Sequence, residues 1–192
     1  MNTDPDVTLM LAFARGDQKA FHELFAKHRK NVINFCYRFC FNREAAEELA
    51  QEVFIRVYQA AGRYRPFARF STWLYRIAVN VCLNECRKQE YKCQTHSIDQ
   101  PIRSGQSEII REIEDEHSKS AQDMLEDGER EKTVQRAMAA LPEKQRLALL
   151  LRVFNEFSYQ EIAMQMETSE NHVKALIHKG RRRLQELLKD YF

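Results

Sequence analysis

At 192 residues the chain can hold one ordinary domain or two small ones, and its 44% hydrophobic and 30% charged content excludes fibrous and disordered classes. Only 5 Gly and 4 Pro leave too few turn residues for an all-β fold. The net charge of +2 does not announce a nucleic-acid partner, but the charge is segregated: acids outnumber bases about three to one over 108–131, whereas 174–183 is strongly basic.

The N-terminus, Met1-Asn2-Thr3-Asp4-Pro5-Asp6, is polar and acidic, with neither the basic nor the apolar stretch of a secretory signal. The most apolar run, 147–151, is far too short to span a bilayer. The expectation is a cytosolic chain whose 5 Cys are reduced thiols.

Residues 6–15 have helical periodicity through Val7, Met10, Leu11 and Ala14. Gly16 ends that helix and Asp17 caps the next. Phe21, Leu24, Phe25, His28, Val32, Phe35 and Phe39 follow at spacings of three and four, predicting a long amphipathic helix to about Phe41. After a break at Asn42-Arg43, the stripe Ala46, Leu49, Ala50, Val53, Phe54, Val57 and Tyr58 predicts a third helix. Its opposite face carries Glu44, Glu47, Glu48, Gln51, Glu52 and Arg56. Residues 62–69 read as a loop, because Pro66 excludes a continuous helix. Ser71 or Thr72 is expected to cap a fourth helix running to about Gln89.

From 93 to 128 apolar density falls and Ser, Gln, Asp and Glu accumulate, the composition of a linker that is helical at most near 109–124. A second block starts near Glu129 with the stripe Val134, Ala137, Met138 and Leu141. Pro142 opens another helix, with Leu147, Leu150, Leu151 and Phe154 inward. Ser158-Tyr159-Gln160-Glu161 is a capping box, and Thr168-Ser169 caps a last helix to about Leu188. The fold class is all-α: two small helical domains joined by an acidic flexible linker, the second containing a helix-turn-helix.

That motif needs a short helix, a tight turn and a second helix with one buried and one polar stripe. Ile162, Ala163 and Met166 are the inward positions of the first helix, and Val173, Leu176, Ile177 and Leu184 those of the second. Glu170, Asn171, Lys174, Ala175, His178 and Lys179 then face outward. Lys and His can donate to guanine or phosphate, and Asn can pair with adenine. Arg181, Arg182 and Arg183 lie further along, where phosphate contact is the expected role.

In the first block Tyr64, Phe67, Phe70, Trp73 and Tyr75 cluster on the loop and the helix after it, with Arg76, Asn80, Asn84 and Arg87 along that helix. Flat rings stack on unpaired bases, and amide and guanidinium groups bond base edges or phosphates, as single-stranded nucleic acid requires. The same rings would also serve as ordinary core aromatics. Cys36/Cys40 and Cys82/Cys86 are spaced i, i+4, with Cys93 and His96 nearby. Two facing pairs could bind zinc, but structural zinc favours tight knuckles and free Cys usually packs as a small apolar residue, so no metal is expected.

Several stretches, in order, resemble a bacterial extracytoplasmic-function sigma factor of the sigma-70 family. Gly16-Asp17-Gln18-Lys19-Ala20-Phe21, Ala50-Gln51-Glu52-Val53-Phe54-Ile55 and Ser71-Thr72-Trp73-Leu74-Tyr75-Arg76-Ile77-Ala78-Val79-Asn80 resemble that family's domain two. Ala140-Leu141-Pro142-Glu143-Lys144-Gln145-Arg146 and Tyr159-Gln160-Glu161-Ile162-Ala163 resemble its domain four. The resemblance implies domain two over 5–92, a linker over 93–128 and domain four over 129–192.

It further implies that Glu47, Glu48, Gln51, Glu52 and Ile55 dock on core RNA polymerase. Tyr64, Arg65, Phe67, Phe70, Trp73, Tyr75, Arg76, Asn80 and Asn84 would recognise the −10 element and its opened strand. Asn171, His172, Lys174, Ala175, His178, Lys179, Arg181 and Arg182 would bind the −35 element. The implied partners are core RNA polymerase, promoter DNA and an anti-sigma factor, with no cofactor, no small-molecule substrate, no catalytic residues and no membrane insertion. The implied setting is cytoplasmic, or at the membrane through the anti-sigma factor, in a stress or envelope response. The chain departs from the pattern at Pro66-Phe67-Ala68, where relatives often carry Gly-Asp-Ser, at Glu167, often Gly, and at Asn171-His172, often Gly-Thr. The alternative, a one-component helix-turn-helix regulator, would make the first block a sensor, and nothing in it reads as a ligand pocket.

Overall fold

The structure, a computed structural model, describes residues 4–95, 121–189 and 191, and it is helical throughout these residues, with no strand among them. The helices are α1 (Pro5–Ala14), α2 (Gln18–Cys40), α3 (Arg43–Ala60), α4 (Phe70–Thr95), α5 (Ala121–Ala139), α6 (Glu143–Val153), α7 (Tyr159–Gln165) and α8 (Glu170–Leu188). A 3₁₀ turn, Ala61–Arg63, follows α3. No helix of the described residues is long and apolar enough to cross a membrane.

Most helix starts follow the local cap chemistry. Asp17 accepts from Lys19 N and Ala20 N, Asn42 from Ala45 N and Ser169 from His172 N. Ser158 and Glu161 form both bonds of a capping box. Two helices differ at their starts. Pro142 sits just before α6, which begins at Glu143. α4 begins at Phe70, earlier than a Ser71 or Thr72 cap allows, and its first amide donates to Asp4 Oδ2 at 2.9 Å.

Helix also enters the stretch read as linker from both sides, since α4 continues to Thr95 and α5 begins at Ala121. The reading of residues 96–120 lies outside the described residues.

α1–α4 form one bundle around Met10, Leu24, Val32, Phe35, Val53, Val57, Phe70 and Leu74. α5–α8 form a second around Leu141, Leu147, Leu150, Leu151, Ile162, Val173 and Ile177. In the second bundle α8 crosses α6 so closely that a β-carbon on Gly180 would lie 2.8 Å from Leu149 Cδ1.

Four residues of the expected stripes are exposed, the first being Ala14 at the end of α1. Tyr58 and Val134 stand partly in solvent, and Phe154 keeps 52% of its surface. Phe154 lies at the end of α6, where its ring is covered on one side by the Arg38 guanidinium at 4.3 Å rather than by apolar side chains.

The bundles touch. Arg146 Nη1 donates to Phe39 O at 2.6 Å, Tyr75 packs edge-on to Phe157 at 5.7 Å, and Arg76 pairs with Glu167 at 3.3 Å. Between them lies a cavity of about 300 Å³ lined by Asn31, Asn34, Arg38, Tyr75, Phe154 and Asn155, among others.

Candidate nucleic-acid interface

α3 turns its stripe Ala46, Leu49, Ala50, Val53, Phe54 and Val57 into the first bundle, which leaves Glu47, Glu48, Gln51, Glu52 and Ile55 together on the outer face. Glu47 and Glu52 are each steadied by an arginine four residues away, Arg43 at 3.2 Å and Arg56 at 2.7 Å. Ile55, 50% exposed, is an apolar spot among carboxylates. A ring of charge around an exposed aliphatic is what a protein partner of opposite charge can cover.

The aromatic cluster divides. Tyr64 and Phe70 are buried, and their rings interlock with the half-buried Trp73, the Tyr64–Trp73 pair at 4.9 Å and 68°. Tyr75 is buried on the other side of α4 against Phe35 and Phe157. The reading of Tyr64, Phe70 and Tyr75 as base-stacking rings is therefore corrected on exposure: enclosing a large ring gains more than leaving it in water, and these three are core.

The Tyr64 hydroxyl has no hydrogen-bond partner among the described residues, and burial, with the charges of Asp4 and Asp6 beyond, pushes its pKa up to about 12. Burial also raises the Tyr75 pKa, against the lowering effect of its bond to Asn155.

Only Phe67 projects from the loop tip, 93% exposed, on a tight turn in which Phe67 N donates to Arg65 O. Arg65 itself donates back to Tyr64 O at 3.0 Å.

On α4 the spacing of 73, 76, 80, 84 and 87 sets Trp73, Arg76, Asn80, Asn84 and Arg87 along one partly open face. Arg87 donates to Asn84 Oδ1 at 3.4 Å. The exposed Phe67, three residues before α4, and this stripe on the helix offer a flat ring, two amides and guanidinium groups.

α8 buries Val173, Leu176, Ile177 and Gly180, and exposes Asn171, His172, Lys174, Ala175, His178, Lys179, Arg181 and Arg182. All eight residues read from the sequence as duplex contacts are thus in solvent on one helix. Lys174 is held by Glu170 at 2.7 Å and lies 5.6 Å from the centre of the Tyr159 ring, so it is pre-oriented. In the turn before α8, Glu167 has φ +52°, the left-handed conformation that explains why glycine suits that place.

Four of the five cysteines lie in the first bundle. Cys36 and Cys82 are buried, and Cys40 and Cys86 are partly so. A hydrogen bond with Cys36 and burial keep the Cys82 thiol protonated well above its ordinary range. Among the described residues no group of His, Cys, Asp and Glu is arranged to hold a metal ion.

Two functional-looking residues escaped the sequence reading. Asp4 stands in a stretch that reads only as polar and acidic, because its second partner, Phe70, is 66 positions away. Arg146 stood in a quoted motif, but nothing local reveals that its guanidinium bonds Met138 O, Ala139 O, Leu141 O and Phe39 O.

The Sigma-70 region 2 profile matches residues 24–91, and the Sigma-70, region 4 profile matches residues 131–184. The chain is 32% identical to the RNA polymerase sigma-H factor of Pseudomonas aeruginosa, over 98% of this chain and 96% of the relative. The chain belongs to the sigma-70 family. It falls with the extracytoplasmic-function sigma factors, being 31% identical to the ECF RNA polymerase sigma factor SigW of Bacillus subtilis over 92% of each. In fold it is similar to the sigma factor RpoE of Bartonella quintana, solved with the anti-sigma factor NepR. That likeness has TM-score 0.68 and 22% identity, and covers 91% of this chain and 99% of that one. It is equally similar to CnrH, solved with the cytosolic domain of CnrY, at TM-score 0.68 and 21% identity, covering 98% and 100%. The matched regions of this sigma factor are the two bundles: region 2 spans most of α2 to α4, and region 4 runs from α5 into α8. α1 lies outside both.

Proposed function

We propose that this sigma factor brings core RNA polymerase to promoters through three separate surfaces. The outer face of α3 docks on the polymerase. Phe67 with the Trp73, Arg76, Asn80 and Asn84 stripe takes the −10 strand. The exposed face of α8 reads the −35 duplex. The observation that carries the reading is α8: between Glu170 and Glu186 its outward face is free of carboxylates and carries Lys174, His178, Lys179, Arg181, Arg182 and Arg183, on a helix-turn-helix whose opposite face is packed.

Lys174 and Lys179 are assigned to base edges or phosphates near the start and middle of the helix, and Arg181 and Arg182 to phosphate. Working domains of 5–92 and 129–192, joined by 93–128, fit the two matched regions. RpoE of Bartonella quintana is solved with an anti-sigma factor, and this chain is proposed to have one that clamps both bundles, in the cytoplasm or tethered to the membrane.

The test is reconstitution with core polymerase and mapping of transcription start sites. Reversing charge at Glu48 and Glu52 together should lower core affinity without changing the helical content. Lys174→Ala and Lys179→Ala should each weaken −35 duplex binding by roughly 1–3 kcal/mol if they reach bases. Core affinity unchanged in the first case, and duplex binding unchanged in the second, would remove those faces from the interface.

A further inference from the structure

We infer that Asp4, the N-cap of the helix outside both family-matched regions, is a positioning residue for the −10 surface, because it supplies the cap that α4 lacks. The inference rests on the reading of Phe67 and the α4 stripe as the strand-binding surface.

Helix α4 opens without a capping side chain of its own, since Arg69 occupies the preceding position and the Arg69 carbonyl accepts the first regular bond, from Trp73 N. The orphan amide at Phe70 is satisfied instead by Asp4 Oδ2 at 2.9 Å. The other oxygen of the same carboxylate, Oδ1, accepts from Asp6 N at 3.1 Å and so caps α1. One carboxylate therefore ties the starts of two helices together, and its negative charge sits at the positive end of both dipoles.

Asp4 is itself fixed from the α2 side. Asp6, two residues on, is buried and accepts from Lys27 Nζ at 2.6 Å and His28 Nε2 at 2.9 Å. The His28 ring lies 5.2 Å from the Phe70 ring, so α2, α1 and the first residue of α4 form one connected unit.

The loop carrying Phe67 is anchored at both ends. Tyr64 holds the near end through Tyr64 N to Ala61 O and its enclosed ring. Phe70 holds the far end through its buried ring and the Asp4 bond. The exposed tip between these anchors has no packing of its own. Its position and the orientation of Trp73, one turn into α4, depend on where the helix begins. Removing the Asp4 bond frees the first turn of α4 to fray and lets the tip wander, without disturbing α3 or α8.

The test uses the full chain with core polymerase and a promoter located by start-site mapping. Wild type, Asp4→Ala, Asp4→Asn and Phe67→Ala are compared for permanganate-reactive melted promoter, core affinity and −35 duplex affinity. Asp17→Ala serves as the control, because it deletes a cap of the same kind at α2 that makes no bond to α4.

Asp4→Ala is expected to lower melted promoter about tenfold while core and duplex affinities change less than twofold. Asp4→Asn keeps one acceptor oxygen instead of two and is expected to fall between. Asp17→Ala is expected to lower the thermal midpoint comparably but leave melting within twofold of wild type. The inference is overturned if Asp4→Ala and Asp4→Asn both melt the promoter as wild type does. It is equally overturned if all three activities fall together, or if Asp17→Ala loses melting to the same extent. Normal melting by Phe67→Ala would instead sink the assignment of the strand-binding surface, whatever Asp4 does.

Discussion

Replacing Arg146 by alanine should cost the second bundle more than any surface position of similar exposure. Its guanidinium donates through Nε to Met138 O at 3.0 Å, and through Nη2 to Ala139 O at 2.6 Å and Leu141 O at 3.0 Å. Met138 and Ala139 are the last residues of α5, where carbonyls lack the regular helical partner, and Leu141 lies just beyond; Met138 O also accepts from Leu141 N. Nη1 reaches Phe39 O at 2.6 Å, at the end of α2, and the plane lies 5.5 and 5.7 Å from the Phe39 and Phe41 rings.

A hydrogen bond to a charged donor contributes roughly 1.5–3 kcal/mol, and water can replace the bond at the exposed Ala139 site but only partly at the other three. The expected net loss is about 2–4 kcal/mol. Arg146→Lys should recover less than half, because one ammonium cannot span carbonyls that a planar fork reaches together. Urea unfolding followed by circular dichroism measures the loss. Fluorescence of Trp73, the single tryptophan, reports the first bundle separately. A loss under about 0.5 kcal/mol for Arg146→Ala, or full recovery in Arg146→Lys, would refute the reasoning.

Two further outcomes follow from single positions. Glu167→Gly should stabilise the second bundle by roughly 0.5–1 kcal/mol, since it relieves a left-handed residue and gives up only an exposed ion pair to Arg76; a loss in thermal midpoint would contradict it. Burial would raise the Asp6 pKa, but the bonds and charges of Lys27 and His28 outweigh it and hold the pKa below the ordinary value of 3.8. A lowered carboxyl contributes stability that is present above that value and is lost as pH falls through the lowered one. The thermal midpoint of wild type should therefore drop more steeply below about pH 4 than that of Asp6→Asn, and parallel curves would remove Asp6 from the acid response.

The helices were legible because each carries a 3.6-residue stripe and most begin on a residue that bonds its own first turn, such as Asp17, Asn42, Ser158 and Ser169. The α8 face was legible in full for the same reason: periodicity alone separates Val173, Leu176 and Ile177 from Lys174, His178 and Lys179. The first bundle's site was legible only in part. Periodicity does not say whether Tyr64 or Phe67 faces solvent in a loop, and the answer came from the Tyr64 ring folding back onto Phe70 and Trp73 at the start of α4. Asp4 and Arg146 were hidden because their decisive partners, Phe70 and Phe39, are remote in sequence. Phe154 misled because a guanidinium, rather than the core, covers its ring.

The thiols give the molecule a further property. Cys36 and Cys82 face each other, fully buried, where α2 meets α4, and residues 129–192 contain no cysteine. Thiolates, not thiols, react with alkylating reagents, and a neutral enclosed thiol reacts only after the helices part. Cys40 and Cys86, partly open, are reached sooner. The slow labelling of Cys36 and Cys82 is therefore a clock that runs on the opening of the first bundle and is blind to the second.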